Sequence, residues 1–356
     1  MPLATLFVPS LNCAAQNDRR ERYVALPKLV AVFACLTLGG CAGLGGPTAP
    51  PAPPSSVVAI IPVGDPPVLL AVSPNSQRVY AAGDATLSVI STTTNAVLAT
   101  LTVNPQSAGI AMAPDGSRVY VDSLFSIDLK VLDTATNALL PDVTMFLQRL
   151  RGGFGRLVVA PDGQTIYVAN KANQAFGVLD LSGGGSKILN PTVWPVDMAI
   201  TPDGTTVVSV GCKQICTPGF IQLYDTASQR FTQEIAVGGN PYRVVLSPDG
   251  SQAYVANLTG PSVSIVDLAA RQVIKTVRVP VQPTGLAIAP GGATLYVASQ
   301  TEGRLSVVDI ASGMVTAQLS VPMARDVVAT PDGQRVYVSS ENRVLAVAVS
   351  SLGTAP

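Results

Sequence analysis

The 356-residue chain contains no histidine, and this absence excludes much chemistry at once. Without imidazole there is no Ser-His-Asp triad, no histidine-ligated zinc or copper site and no histidine-ligated haem. No metal site and no cofactor is therefore expected, although cysteine and carboxylate chemistry stay open. Charged residues are also scarce, at 12% of the chain, and the formal net charge is zero. With no block of lysine and arginine to bind phosphates, nucleic acid is not an expected partner.

Aromatic residues are few as well, at 5%, whereas hydrophobic residues make up 47% and are accompanied by 31 glycines and 29 prolines. The apolar content is large enough for a sizeable core, and the glycines and prolines predict many turns. Together they favour an all-β fold.

Near the N-terminus the chain has a short apolar run, LVAVFACLTL at residues 29–38, which is too short for a bilayer span of roughly 20 residues. The run follows a basic segment and ends in Leu-Gly-Gly before Cys41. This pattern resembles a bacterial lipoprotein signal whose cysteine is acylated. We therefore expect a signal segment at 1–40, with an over-long start because residues 1–18 fit no signal, and lipidation at Cys41. The alternative is a chance cysteine behind an ordinary secretory signal.

Residues 42–56, AGLGGPTAPPAPPSS, are rich in proline and glycine. Such a composition predicts a partly extended tether, so residues 41–56 would join the lipid to the first strand. Ala42 rather than aspartate follows Cys41, which by resemblance to enterobacterial sorting favours the outer membrane. We expect a cell-envelope protein, periplasmic or surface-exposed, that contacts the membrane through its lipid anchor only and folds in an oxidising compartment.

A proline recurs seven times at intervals of 40 to 47 residues, and in six repeats a tyrosine follows six residues later. The prolines are Pro74, Pro114, Pro161, Pro202, Pro248, Pro290 and Pro331. Each unit fits four short strands, as in RVVLSP, QAYVAN, SVSIVDL and QVIKTVRV of the fifth. Seven such units predict a seven-bladed β-propeller of four-stranded antiparallel blades over residues 57–350, with a tail at 351–356. The aspartates of the Pro-Asp-Gly turns are interpreted as turn formers, and the tyrosines as blade-packing residues.

The last unit has only three strands before the chain ends. Its missing fourth strand is predicted at the other end, where residues 57–63 (VVAIIPV) read like the fourth strands of the other units. An N-terminal strand that completes the last blade would close the ring and hide its open edges.

The sequence YVAN at residues 167–170 and 254–257, with Pro-Asp-Gly turns and VxxxD third strands around it, resembles the YVTN-repeat β-propellers. The resemblance covers residues 57 to about 350 and implies the propeller fold and a secreted or surface-associated location. That family has no single shared activity, so the resemblance implies no specific function.

Irregular segments collect on the face opposite the Pro-Asp-Gly turns, which is where a repeat protein often binds. One is the long link at residues 141–155, with Arg149 and Arg151, and the other is a loop in blade 4 that contains Cys212 and Cys216. After signal removal and acylation of Cys41 these two are the remaining thiols. A local disulfide is the leading interpretation, and a free redox pair is the alternative.

Charged residues also recur at the start of the first strands, five positions before the repeat prolines. The seven residues there are Leu69, Gly109, Arg156, Asp197, Arg243, Gly285 and Asp326. One interpretation is an interlocking ring of ion pairs. The other is that these charges, with Trp194 and the cysteine loop, line a polar pocket for an anionic or sugar-like ligand or for a partner's side chains.

One function needs no feature beyond those seen in the sequence, namely that of an outer-membrane lipoprotein that binds a partner and catalyses nothing. We expect it to be monomeric and to bind a protein, or an envelope or small-molecule ligand, on its loop-variable face. One alternative is a lactonase-like hydrolase, with Asp197 or Asp326 in acid–base roles and Arg156 or Arg243 stabilising an oxyanion. Another is a non-catalytic accessory to periplasmic redox metabolism. No catalytic residue is marked by spacing, so an enzyme is less favoured than a binding module, although the sequence does not decide between them.

Overall fold

The fold comes from a computed structural model that describes residues 56–124, 126, 128–144, 155–183 and 185–353. Residues 1–55, which hold the expected signal segment, Cys41 and nearly all of the tether, lie outside the described residues. So do residues 145–154 of the long link, including Arg149 and Arg151. The described residues form seven antiparallel sheets of four strands each. The prediction of an all-β, seven-bladed propeller is therefore confirmed.

The chain enters the fold with β1 (Val57–Pro62). Blade 1 comprises β2 (Leu69–Val72), β3 (Arg78–Ala82), β4 (Thr86–Ser91) and β5 (Val97–Thr102). Blade 2 comprises β6 (Ser107–Met112), β7 (Arg118–Ser123), β8 (Asp128–Asp133) and β9 (Ala138–Thr144). Blade 3 comprises β10 (Leu157–Val159), β11 (Thr165–Asn170), β12 (Ala175–Asp180) and β13 (Gly185–Leu189).

The remaining blades repeat this order. Blade 4 comprises β14 (Trp194–Ile200), β15 (Thr206–Cys212), β16 (Gly219–Asp225) and β17 (Arg230–Val237). Blade 5 comprises β18 (Gly239–Leu246), β19 (Gln252–Thr259), β20 (Ser262–Asp267) and β21 (Gln272–Arg278). Blade 6 comprises β22 (Pro283–Ile288), β23 (Thr294–Ser299), β24 (Arg304–Asp309) and β25 (Met314–Ser320). Blade 7 comprises β26 (Val327–Ala329), β27 (Arg335–Ser340), β28 (Arg343–Ala348) and β1.

The first strands of all seven blades contact one another around the ring, so they surround a central channel. The ring closes where β1 pairs with β28, with Ile61 opposite Val344. Ile61 is only 1% exposed and packs with Tyr337 of blade 7 and Leu70 of blade 1. Closure by the N-terminal strand is thus as predicted, and it buries apolar side chains as well as pairing a strand edge.

Each turn between the first and second strands contains one left-handed residue. Glycine occupies this position in six blades, with φ between 70° and 74°, and Ser76 occupies it in blade 1 with φ 60°. In the five Pro-Asp-Gly turns the aspartate accepts a hydrogen bond from the N–H two residues later, as Asp249 does from Ser251 at 3.0 Å. Hydrogen bonds from the Ser247 hydroxyl and from Ser251 lower the pKa of Asp249 to about 2. These aspartates are turn formers.

Among the residues that the structure describes, the core consists of seven apolar clusters, each of which joins one blade to the next. Tyr80 of blade 1, for example, packs with Val119 and Val121 of blade 2. All six aligned tyrosines are buried in this way: Tyr80, Tyr120, Tyr167, Tyr254, Tyr296 and Tyr337. Val208 takes the same position in blade 4 and packs with Val255 of blade 5. The tyrosines are blade-packing residues.

The described part of the chain has a single helical element, a short 3-10 helix at Val349–Leu352 that follows β28. No helix in that part is long and apolar enough to cross a bilayer.

Candidate functional site

Four charged residues from four blades meet in the central channel. Asp326 of blade 7 lies between Arg156 of blade 3 and Arg243 of blade 5, at 3.5 Å and 3.7 Å from their guanidinium nitrogens. Asp197 of blade 4 is the second partner of Arg243, with Oδ1 3.6 Å from Nη1. Blades 3, 5 and 7 are not neighbours, so the two ion pairs of Asp326 cross the channel, whereas Asp197 and Arg243 lie on adjacent blades. We call the four residues the channel quartet.

The two aspartates of the quartet also fix the blade that follows each of them. Asp326 Oδ2 accepts a hydrogen bond from the backbone N–H of Leu70 in blade 1, at 3.0 Å. Asp197 Oδ2 accepts one from the backbone N–H of Val244 in blade 5, at 2.8 Å. Their side chains are 0% and 1% exposed. Neither carboxylate lines the cavity at the channel mouth, so both are placed to hold the ring together.

The ion pairs of the quartet are longer than hydrogen bonds, which leaves some buried polar atoms without a hydrogen bond. Among the described residues no hydrogen-bond partner reaches Asp197 Oδ1, Asp326 Oδ1 or Arg243 Nε. Burial by itself lowers the pKa of Arg243, but the carboxylates of Asp326 and Asp197 outweigh this effect and the pKa is raised. The quartet is held mainly by charge, with an equal number of acids and bases.

In each blade, the residue just before the aligned position that carries Leu69, Gly109, Arg156, Asp197, Arg243, Gly285 or Asp326 lies at the mouth of the channel. These seven preceding residues form the rim of the channel mouth. This rim consists of Val68, Ala108, Gly155, Val196, Tyr242, Thr284 and Arg325. In four blades the rim residue is the extra residue of a β-bulge in the first strand. In the other three, two consecutive residues bond to a single residue of the second strand. The bulge therefore separates an outer rim from the position that carries the quartet.

The rim opens into a cavity of about 450 Å³, here called the mouth cavity. Three basic residues line it, namely Arg156, Lys171 and Arg325, and its described lining contains no carboxylate. Arg156 is paired with Asp326, whereas no carboxylate of the described residues forms an ion pair with Lys171 or Arg325. The mouth cavity therefore presents positive charge to solvent, and its chemistry suits an anion.

The uncharged lining of the mouth cavity adds hydrogen-bonding groups and one aromatic ring. Ser107 is 8% exposed, and its Oγ has no hydrogen-bond partner among the described residues. Gln300 and Thr284 also line the cavity, and Tyr242 stands on the rim with 37% of its surface exposed. Buried hydroxyls without partners are uncommon in proteins, so Ser107 is a candidate contact for a bound polar group.

The other residues proposed from the sequence lie apart from this cavity. Trp194 begins β14 opposite Cys212, is half-buried and does not line the mouth cavity. Cys212 and Cys216 are bonded in the structure, with their Sγ atoms 2.12 Å apart. The loop they close joins β15 to β16, and neither cysteine lines the mouth cavity. The structure thus brings Arg156, Asp197, Arg243 and Asp326 together without Trp194 or the cysteines.

Sequence reasoning missed Lys171 and the role of the rim. Lys171 directly follows YVAN in blade 3, in the loop between the second and third strands, on the same face as the rim. The sequence repeat could have identified the rim positions, because every rim residue stands six positions before a repeat proline. No group of three or more cysteine or carboxylate side chains in the described residues is placed to hold a metal ion.

Comparison with known proteins gives a fold and no family. No family model matches the chain, and no curated protein matches it. Among solved structures, a chain of hydrazine synthase from Kuenenia stuttgartiensis is similar with a TM-score of 0.71 and 20% sequence identity. The match covers 80% of this chain and 95% of the other. The likeness is one of fold. At this identity it says nothing about activity, because propellers host many unrelated functions.

Proposed function

We propose that the protein is a binding module whose mouth cavity takes an acidic saccharide and leaves it chemically unchanged. The observation that carries this proposal is the lining of the cavity, which has three basic residues and no carboxylate among its described members. Its volume of about 450 Å³ lies within the usual range of small-ligand sites, about 300 to 1,000 Å³. The rigid ring of blades is compatible with a binding or scaffold role.

The choice of an acidic saccharide follows from the mixture of groups around the cavity. Lys171 and Arg325 supply positive charge that no ion pair of the described residues neutralises, which favours a carboxylate or sulfate. Ser107 and Gln300 can bond to hydroxyl groups, and the exposed ring of Tyr242 offers a face for a sugar ring. A bare inorganic anion would use the charges but not the ring.

We further propose that the propeller belongs with the YVTN-repeat proteins and hangs from the outer membrane by a lipid on Cys41. Support for this comes from the sequence: the basic segment, the apolar run, the Leu-Gly-Gly-Cys motif and the proline-rich tether. A cavity on a propeller joined to such a lipid by a proline-rich segment would reach ligands of the envelope.

The binding proposal predicts that replacing Lys171 and Arg325 with glutamine weakens binding of an oligouronate by about 100-fold. Hydrogen bonds to charged groups contribute about 1.5–3 kcal/mol each, so two of them account for that loss. Calorimetry with tetragalacturonate and with a neutral oligosaccharide of the same length measures it. Arg156 is left unchanged in this test because it also pairs with Asp326.

Arg230→Gln is the matched control, since it removes one positive charge from an exposed position at the start of β17, on the opposite face. It should bind the oligouronate as the wild type does. Equal affinity of the wild type for the acidic and neutral sugars, or equal loss in the control, would overturn the proposal.

The anchoring proposal predicts that Cys41→Ala abolishes incorporation of radiolabelled palmitate and moves the protein from the membrane fraction to the soluble fraction. Cells that express the full chain provide the material, and Cys212→Ala, made together with Cys216→Ala, provides the control that keeps its label. Labelling that persists in Cys41→Ala would contradict lipidation at this residue.

A further inference from the structure

Neighbouring blades leave grooves between them on the face that carries the Pro-Asp-Gly turns, here called the turn face. Between blades 1 and 2 the groove is filled by Arg78 of blade 1. Its Nη1 donates to the backbone oxygen of Thr134 and, at 2.9 Å, to Oδ1 of Asn137, both in the turn between the third and fourth strands of blade 2. One guanidinium thus bridges the two blades.

The same device recurs between blades 7 and 1. Arg335 of blade 7 donates to the backbone oxygen of Thr92 and, at 3.1 Å, to Oδ1 of Asn95 in blade 1. Between blades 5 and 6 a lysine makes the corresponding contact: Lys275 Nζ of blade 5 donates to the backbone oxygen of Ala311 in blade 6, at 2.5 Å. In each of these three places the turn of one blade therefore binds a cation that the preceding blade supplies, and Lys187 of blade 3 binds Gln229 of blade 4 in a related way.

The groove between blades 3 and 4 has no guanidinium, and of its two corresponding acceptors only the backbone oxygen of Thr226 is open, because Gln229 already accepts from Lys187. Thr165 stands at the repeat position of Arg78 and Arg335, two residues before the aligned tyrosine. Its short side chain is one wall of a cavity of about 410 Å³. Across this cavity, Thr226 and Gln229 occupy the positions that correspond to Thr134 and Asn137 in blade 2, and both line it.

The charges around this blade 3–4 groove favour a cation. Asp162, Asp180 and Asp203 line it, and the one basic residue in the described lining is Lys187. Lys187 Nζ donates to Oε1 of Gln229 at 2.8 Å. The lining therefore has three carboxylates and one ammonium, and the backbone oxygen of Thr226 receives no hydrogen bond from the described residues.

The pKa values of the aligned tyrosines differ between equivalent grooves according to the charges beside them. Burial raises the pKa of Tyr80 and of Tyr337, while the adjacent Arg78 and Arg335 act to lower it. In the blade 3–4 groove, burial together with Tyr224 and Asp162 raises the pKa of Tyr167 to about 12. No neighbouring guanidinium lowers the pKa of Tyr167 as Arg78 and Arg335 do for the other two tyrosines.

We propose that the blade 3–4 groove binds the guanidinium group of an arginine side chain on a partner protein. The partner's guanidinium would donate to the backbone oxygen of Thr226 and to Asp162 or Asp203, as Arg78 and Arg335 donate to the turns of blades 2 and 1. Tyr167 and Tyr224 line the same cavity, but their rings are buried and pack edge to face with centroids 6.0 Å apart, so the guanidinium would be held by the acceptors and not by stacking. This second site lies on the turn face, away from the mouth cavity, and selects the opposite charge.

The test is to fill the groove from within. In Thr165→Arg the chain's own guanidinium would take the acceptors, so the dissociation constant for the probe Nα-acetyl-arginine amide should rise about ten-fold or more. The melting temperature should rise as well, because the new arginine bridges blades 3 and 4. Thr165→Ser keeps the groove open and is the matched control, with an unchanged dissociation constant. Chemical shifts of Tyr167 and Tyr224 measure binding and locate it.

Lys187→Met supplies a second and independent variant. Removing its ammonium should tighten binding of the arginine probe several-fold, whereas a role in folding alone would leave binding unchanged. An arginine-containing peptide should bind more tightly than the amide, because it adds contacts outside the groove. Absence of saturable binding to the wild type at millimolar probe, or equal binding by Thr165→Arg and Thr165→Ser, would refute the proposal.

Discussion

Replacing Asp326 with asparagine is expected to lower the free energy of unfolding by about 3–5 kcal/mol, because it removes one partner of a buried set of ion pairs. Asp326 is the counter-charge of both Arg156 and Arg243. Asparagine has nearly the same shape and can still accept a hydrogen bond from Leu70 N–H, so the change isolates the loss of charge. Urea unfolding followed by tryptophan fluorescence measures the difference, with Trp194 as the only tryptophan.

Two further variants show whether charge is the cause. Asp84→Asn removes a carboxylate at an exposed position and should change stability by less than about 0.5 kcal/mol. Adding Arg156→Met to Asp326→Asn leaves Arg243 with Asp197, a balanced pair, while asparagine still accepts from Leu70 N–H, and it should restore most of the loss, since replacing a buried charge that has lost its partner by an apolar side chain removes the penalty. A fully stable Asp326→Asn protein would mean that the quartet carries little of the ring's stability.

Replacing Ile61 with aspartate is expected to open the ring between blades 7 and 1. Ile61 is 1% exposed within the cluster that joins these two blades. The substitution removes a buried apolar side chain, worth about 2–5 kcal/mol, and places a carboxylate among Leu70, Tyr337 and Val344. Hydrogen exchange should therefore show faster exchange of the amides of β28 and of β2, on the two sides of the closure.

The chain offers a neighbouring control for this change. Ile60 precedes Ile61 in the same strand but points to the other face and is 59% exposed. Ile60→Asp should leave stability within about 0.5 kcal/mol of the wild type. If Ile61→Asp yields no folded protein, Ile61→Ala at about 2–4 kcal/mol gives a measurable series. Equal effects at positions 60 and 61 would show that the closure depends on backbone pairing alone.

The repeat in the sequence was enough to predict the fold, because it fixes local structure and blade packing together. The proline and glycine positions specify the turns, and the tyrosine position specifies the contact with the next blade. Even the closure could be predicted, since residues 57–63 have the pattern of a fourth strand. These features depend on neighbours in sequence or on the adjacent blade.

The site was less predictable, because it depends on contacts across the channel. Alignment placed Arg156, Arg243 and Asp326 at equivalent positions, but the pairing of one aspartate with two arginines depends on the reach of each side chain over the channel. The bulge in the first strands, as at Val196 and Tyr242, was also invisible, since it shifts which residue lines the mouth cavity without altering the repeat length. For the same reason Trp194 was expected at the cavity, whereas it lies two residues before the rim position of its blade.

The bulge has a consequence for how such a molecule can change its specificity. The rim residues stand one position before the residues that hold the ring together, so rim side chains can be exchanged without changing the quartet, except at Gly155, where a Cβ would lie 2.7 Å from the backbone oxygen of Ala169. Each blade contributes one residue to the mouth of the channel, so the surface that a ligand meets is assembled from seven separate positions. A panel of variants with altered rim side chains and the same propeller could then be made from this one chain. The ligand preference of each variant would depend on its rim side chains.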